Sequence, residues 1–162
     1  MPPLIMSEKI NEDYLSGWQG FSEKIGYAIA DYDKIQNWLA VLHSIKTGEG
    51  TFGNVEEENL ELFGKLDLLR KKEYGAFEII PAHSHPVMGA STKDEEKMKM
   101  MSKFGYHNFI IICPSEVKSY NIENGRITPN TIVVLPREKI TQKYNGRIIQ
   151  LEGVLKNLDL IE

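Results

Sequence analysis

Two kinds of apolar spacing divide this chain. Early on, apolar residues fall three or four apart; beyond residue 50 they alternate or run together. Residues 1–12 are polar with two prolines and are expected to form a loosely docked start. In "DYLSGWQGFSEKIGYAIA", Tyr14, Leu15, Trp18, Phe21, Ile25 and Ile29 make a helical stripe that Gly17, Gly20 and Gly26 weaken. The stripe in "DYDKIQNWLAVLHSIKTGEG" is stronger. Ile35, Trp38, Leu39, Leu42 and Ile45 share one face, Asp33 stands as a cap and Gly48 as a stop, which predicts a helix over 34–46.

The texture then changes. "TFGNV", "LELFGKLDLLR" and "AFEIIPAHSH" read as strands between polar or glycine-containing breaks. "STKDEEKMKMMSKFG" reads as a short helix with a serine start, an acidic first turn and Gly105 at its end. "HNFIIICP" predicts a buried strand bounded by Pro114. "VKSYNIENGRITP" predicts a hairpin turning at Asn124-Gly125, and "TIVVLP" and "GRIIQLEGVL" add two further strands. The order is helix, strands, helix, strands. It predicts a mixed α/β fold in which a single central β-sheet is flanked by helices. The 162 residues suit one compact domain, with 1–33 as an N-terminal extension holding a helical segment and 34–162 as the main domain.

Composition narrows the partners. A hydrophobic fraction of 41% and a charged fraction of 26% are ordinary for a globular protein. The net charge of -4 argues against a broad grip on nucleic acid, and "RKKEY" and "KMKMMSK" have acidic neighbours that mark them as solvated segments. Cys113 is the only cysteine and lies within "FIIICP", so neither a disulfide nor a thiolate cage is available inside the chain. No run approaches the roughly 18 apolar residues of a membrane helix, and "MPPLIM" is too short for a secretory core. The expectation is a soluble cytoplasmic protein whose partners include neither nucleic acid nor membrane. Its oligomeric state stays open.

Chemistry concentrates in "AHSHPVMGASTKDEE". On a strand, residues two apart share a face, so His83 and His85 present their rings together while Ser84 points away. Pro86 favours ending the strand, and the helix start at Ser91 brings Asp94 back towards the histidines. Two imidazoles and a carboxylate are the ligand set of a zinc site with one position left for water. The same residues have a plainer reading. S-x-x-D at a helix start is a capping box, and Asp94, Glu95 and Glu96 suit a helix N-terminus by charge alone. The readings are compatible, because a capped helix start holds a ligand rigid.

"HSHPVMGASTKD", followed by a helix and "HNFIIIC", resembles the JAB/MPN domain family of zinc metalloproteases, the JAMM proteins. Their motif runs from an upstream glutamate to H-[ST]-H-P, then S-x-x-D at a helix start, then a buried strand. His83, Ser84, His85 and Pro86 match H-S-H-P, and Ser91 and Asp94 match S-x-x-D. The resemblance implies the JAB/MPN (cytidine-deaminase-like) architecture and a Zn2+ cofactor held by His83, His85 and Asp94. It assigns Ser91 to stabilising the oxyanion. The implied activity is hydrolysis of a peptide or isopeptide bond, with a substrate such as the tail of a ubiquitin-like or sulfur-carrier protein laid along a sheet edge. Eight residues separate His85 from Asp94, about two fewer than is usual in the family. Strict counting moves the carboxylate to Glu96, whereas a shortened turn keeps both Ser91 and Asp94.

The family's glutamate lies in a stretch resembling E-x-x-G-x-L-x-G, after an N-terminal helix. The expected helix over 34–46, a polar break and Gly48-Glu49-Gly50 make Glu49 the candidate general base, although only Thr51 and Phe52 stand where apolar residues belong. Glu56, Glu57, Glu58 and Glu61 compete for the role. Glu78 faces away from the histidines unless Pro81 introduces a bulge. His43 and His107 read as structural or surface residues, Met98, Met100 and Met101 as helix packing, and Met88 as a candidate substrate wall. Two other functions fit part of the pattern: a non-catalytic binding or scaffold module of the same fold, and a cupin-like metal-binding barrel.

Overall fold

The computed structural model describes residues 2–19, 23–49, 60–85 and 90–162, with Glu49 described by its backbone alone. Among these residues eight strands form one mixed sheet: β1 (Leu4–Ser7), β2 (Lys24–Asp33), β3 (Trp38–Glu49), β4 (Glu78–Ser84), β5 (Asn108–Ile112), β6 (Val117–Glu123), β7 (Arg126–Asn130) and β8 (Ile132–Leu135). Their order is β7-β6-β5-β4-β2-β3-β1-β8. β1 runs parallel to both β3 and β8, and β4 runs parallel to β5; the other neighbours are antiparallel. Only Thr131 separates β7 from β8, the two ends of this order. The sheet therefore curls nearly into a barrel, and Asn130 Nδ2 donates to the Pro2 carbonyl at 3.0 Å across the seam.

Among the described residues four α-helices cover the sheet: α1 (Glu8–Gly17), α2 (Leu60–Leu69), α3 (Thr92–Ser102) and α4 (Arg137–Asn157). One core layer packs Tyr14 and Trp18 against Leu4, Met6, Leu39, Val41, Ile80, Ala82 and Ile110. The other joins Leu66 and Leu69, Met98 and Met101, and Ile140, Leu151 and Leu155 to Ile5, Ala40, Ile79, Phe109 and Ile111. Successive strand residues thus feed opposite layers, as a two-period backbone requires. Among the described residues no helix is long and apolar enough to cross a membrane.

Several elements differ from the sequence reading. Residues 1–12, expected as a loosely docked start, supply β1 inside the sheet and the first half of helix α1, capped by Ser7, while the helical stripe expected from Tyr14 to Ile29 divides between the end of α1 and the central strand β2. The helix expected over 34–46 is instead the turn and second strand of a hairpin. Leu39 and Val41 enter one core layer while Ala40 and Leu42 enter the other. A strand buried on both faces reads as a continuous apolar run, and that run also satisfies a helical stripe. The turn is fixed by Asp33, whose Oδ1 accepts the amides of Ile35 and Gln36 at 3.0 Å each.

"LELFGKLDLLR" is helix α2, and "GRIIQLEGVL" belongs to α4, where Ile140, Tyr144, Leu151 and Leu155 fall on the buried side. Helix α3, strand β5 and the β6–β7 hairpin lie where expected. Asn124 and Gly125 both take positive φ, 52° and 76°, as a tight type I′ turn demands. The segment "TFGNV" lies outside the described residues.

Candidate metal and hydrolytic site

The site grows from the C-terminal end of β4. Ile79 on this strand feeds the layer that holds α3, and the alternation carries His83 to the same side. His85 lies one residue past the strand, where its amide still donates to the Ile112 carbonyl at 2.8 Å, so β5 holds it in register. Ser84 points the other way, and its hydroxyl accepts the Lys24 amide at 2.8 Å, fixing the start of β2 beside the histidines.

Helix α3 then returns Asp94. Its N-cap is Ser91, and a complete capping box is present. The Asp94 amide donates to Ser91 Oγ at 3.1 Å, while the Ser91 amide and hydroxyl each donate to Asp94 Oδ2 at 2.9 Å. The same carboxylate meets both histidines: His83 Nε2 is 2.9 Å from Oδ1, and His85 Nε2 is 3.3 Å from Oδ2. The two rings stand edge to face with centroids 5.6 Å apart. Burial raises the pKa of Asp94, but hydrogen bonds from His83 and Ser91 outweigh that cost and hold it at about 2. At neutral pH it is a carboxylate. Asp94 thus meets both histidines, while Glu96 is exposed on α3. Residues 86–89, with Pro86 and Met88, lie outside the described residues.

His83 has a distinctive setting. Its Nδ1 is 2.8 Å from the Ser84 carbonyl, which can only accept, so Nδ1 carries the hydrogen. Nε2 then faces the Asp94 carboxylate, and a cation between the two would be held by both. A metal-bound histidine has this arrangement, donating its other nitrogen to a backbone carbonyl. Two donors held about 2.0–2.1 Å from one tetrahedral ion lie about 3.3 Å apart, near both His–Asp94 separations. The donor types are among those that zinc takes. The two contacts nevertheless use different oxygens of Asp94, and among the described residues no three His, Cys, Asp or Glu side chains are grouped to hold a metal ion.

A fourth group comes from an unexpected place. Glu23, just ahead of β2, puts Oε2 3.6 Å from His83 Nδ1, and its side chain is partly exposed to water. The register accounts for this: Ile25 pairs with His83, so the start of β2 lies beside the end of β4. Glu49 is the last residue of β3, where its backbone opposes Lys24, and β2 separates it from β4. Glu23-Lys24-Ile25-Gly26 is E-x-x-G, it follows helix α1, and Tyr27, Ala28, Ile29 and Ala30 continue it as a buried strand. Gly26 is required there, because a Cβ would lie 2.0 Å from the Ile45 carbonyl oxygen.

The other candidates lie elsewhere. Glu61 is exposed on α2, 3.4 Å from Lys65. Glu78 and His107 line a separate cavity of about 600 Å³ with Asn108 and Glu123. Glu56, Glu57 and Glu58 fall outside the described residues. His43 lies on β3, opposite Ile29. Met98 and Met101 are core residues, whereas Met100 is 40% exposed beside Phe104 in a groove between α2 and α3.

What these elements define together is a mixed α/β fold carrying a buried His–His–Asp cluster, with a glutamate beside it at the end of the central strands. The fold resembles the solution structure of DSY2949 from Desulfitobacterium hafniense, with a TM-score of 0.52 and 17% identity over 83% of this chain and 94% of that one. No protein-family model matches the chain, and no curated protein matches it in sequence.

Proposed function

We propose that the chain is a zinc-dependent peptidase or isopeptidase of JAB/MPN type, with His83, His85 and Asp94 as metal ligands and Glu23 as general base. One observation carries this reading. Side chains from β4 and α3, together with Glu23 at the start of β2, distant from them in sequence, meet within hydrogen-bond or ion-pair distance around His83 and His85. Bound zinc would supply Lewis acidity towards a scissile carbonyl and a water. The chain's own residues would do the rest. Ser84 O and Asp94 fix the His83 ring, and the Ser91 cap fixes Asp94. Glu23, partly open to solvent with Oε2 on the Nδ1 side of His83, would swing towards the Nε2 side to take the proton from the attacking water and return it to the leaving amine. By family resemblance the substrate is an extended chain, such as the tail of a ubiquitin-like or sulfur-carrier protein.

The non-catalytic module is the second reading. It is favoured by the satisfied state of Asp94, whose oxygens are engaged by Ser91 and both histidines as in a purely structural ion-pair network. A cupin-like barrel is disfavoured, since helix α3 stands between β4 and β5 where a barrel would continue with strands. Zinc content and cleavage of a ubiquitin-like fusion separate the two that remain. Stoichiometric zinc that is lost in His83→Ala, with hydrolysis reduced about 10²–10⁴-fold in Glu23→Gln, is expected for the enzyme. A protein that takes up no zinc and cleaves no fusion is the module.

A further inference from the structure

We infer that Ser91 serves this site by positioning Asp94, and that its hydroxyl is not a donor to the reacting carbonyl. The inference rests on the zinc reading above but departs from the role that the family resemblance assigns to this serine. A serine hydroxyl has one hydrogen. Here it is spent on Asp94 Oδ2 at 2.9 Å, and the Ser91 amide is spent on the same oxygen at 2.9 Å. The hydroxyl oxygen, in turn, accepts the Asp94 amide at 3.1 Å.

Serving an oxyanion would mean breaking this box at a carboxylate that is only 3% exposed. With two donors on Oδ2, the carboxylate cannot rotate without losing both bonds, and Oδ1 is held facing His83 Nε2 at 2.9 Å. Charge-assisted hydrogen bonds of this kind are the stronger ones, and partners that orient a metal ligand govern affinity for the ion. Ser91 thus sets which oxygen Asp94 presents and where.

The test is zinc affinity, read by competition with a chromophoric chelator on the full chain. Four proteins are compared: wild type, Ser91→Ala, Ser91→Thr and Ser91→Asn. Threonine keeps the hydroxyl. Asparagine keeps a helix cap that accepts the Asp94 amide but has no hydroxyl, and circular dichroism reports whether α3 stays formed. Affinity about 10- to 100-fold weaker in Ser91→Ala and Ser91→Asn, with Ser91→Thr near wild type, is the expected result. Wild-type affinity in Ser91→Ala would overturn the inference, and slowed hydrolysis by that zinc-loaded variant would return the hydroxyl to the carbonyl. Full affinity in Ser91→Asn would also overturn it, since capping alone would then suffice. Should wild type itself bind no zinc, the zinc reading fails first, and the inference falls with it.

Discussion

His43 shows what one polar side chain costs inside an apolar strand. It lies on β3 opposite Ile29, partly buried, and its Nε2 has no hydrogen-bond partner among the described residues. Burial pushes its pKa below the ordinary 6.5, against the pull of Glu152 on α4. The sign follows from the direction. Above about pH 6.5 the ring is neutral in both states and contributes no pH dependence. Below that, the unfolded chain takes up a proton that the folded chain resists, so stability falls with pH until the folded pKa is reached. One such group gives a slope of up to about 1.4 kcal/mol per pH unit. Urea midpoints at pH 7.5, 6.5 and 5.5 should therefore drop on acidification, and His43→Leu should flatten the trend between pH 6.5 and 5.5. An unchanged slope in the variant would assign the acid sensitivity to other groups.

Elements are where the sequence and the structure part company, and one of them changes which glutamate lies near the histidines. Trp38 to Leu42 satisfy a helical stripe, yet as a strand they feed both core layers, and only the tertiary environment decides between the two. As a helix, that segment would be followed by Glu49; as strand β3 it ends at Glu49, with β2 between it and β4. Helix α1 is instead the helix that comes before Glu23, the glutamate that lies beside His83. By contrast, "HSHP" and "STKD" carry local signals, alternation and capping, that need no distant partner, and these were legible.

Two glycines test the element assignments. Gly26 lies at a register shift between β2 and β3, where a Cβ would meet the Ile45 carbonyl oxygen at 2.0 Å and Trp18 at 2.7 Å. Gly64 falls in a segment whose sequence suggests a strand and which folds as helix α2; a Cβ there would meet nothing within 4 Å. Gly26→Ala should cost about 1–3 kcal/mol or more through overpacking. Gly64→Ala should add up to about 1 kcal/mol, since alanine favours a helix over glycine. Thermal denaturation of the two variants reads both signs, and a destabilised Gly64→Ala would count against α2.

At the scale of the whole molecule, the decisive strand is the short one at the start of the chain. β1 has no hairpin partner; it lies between β3 and β8, parallel to both, and it is the strand to which β8 pairs. Leu4, Ile5 and Met6 are 0%, 1% and 0% exposed, with Leu4 and Met6 in the α1 layer and Ile5 in the opposite one. Burying each contributes about 1.5–3 kcal/mol, so the three together approach the roughly 5–15 kcal/mol by which a domain of this kind is stable. Ser7 adds the cap of α1, its hydroxyl accepting the Ile10 amide at 3.1 Å. Removing residues 2–7 would also strip β8 of its ladder and open the outer edge of β3. Such a protein should lose its cooperative thermal transition and its near-ultraviolet circular dichroism, whereas Leu4→Ala alone, costing about 2–5 kcal/mol, should keep a single transition at lower temperature. A truncated chain that still melts cooperatively within a few degrees of the full one would mean that β1 is docked onto a fold complete without it, and that the sheet's closure past β3 contributes little to holding the site together.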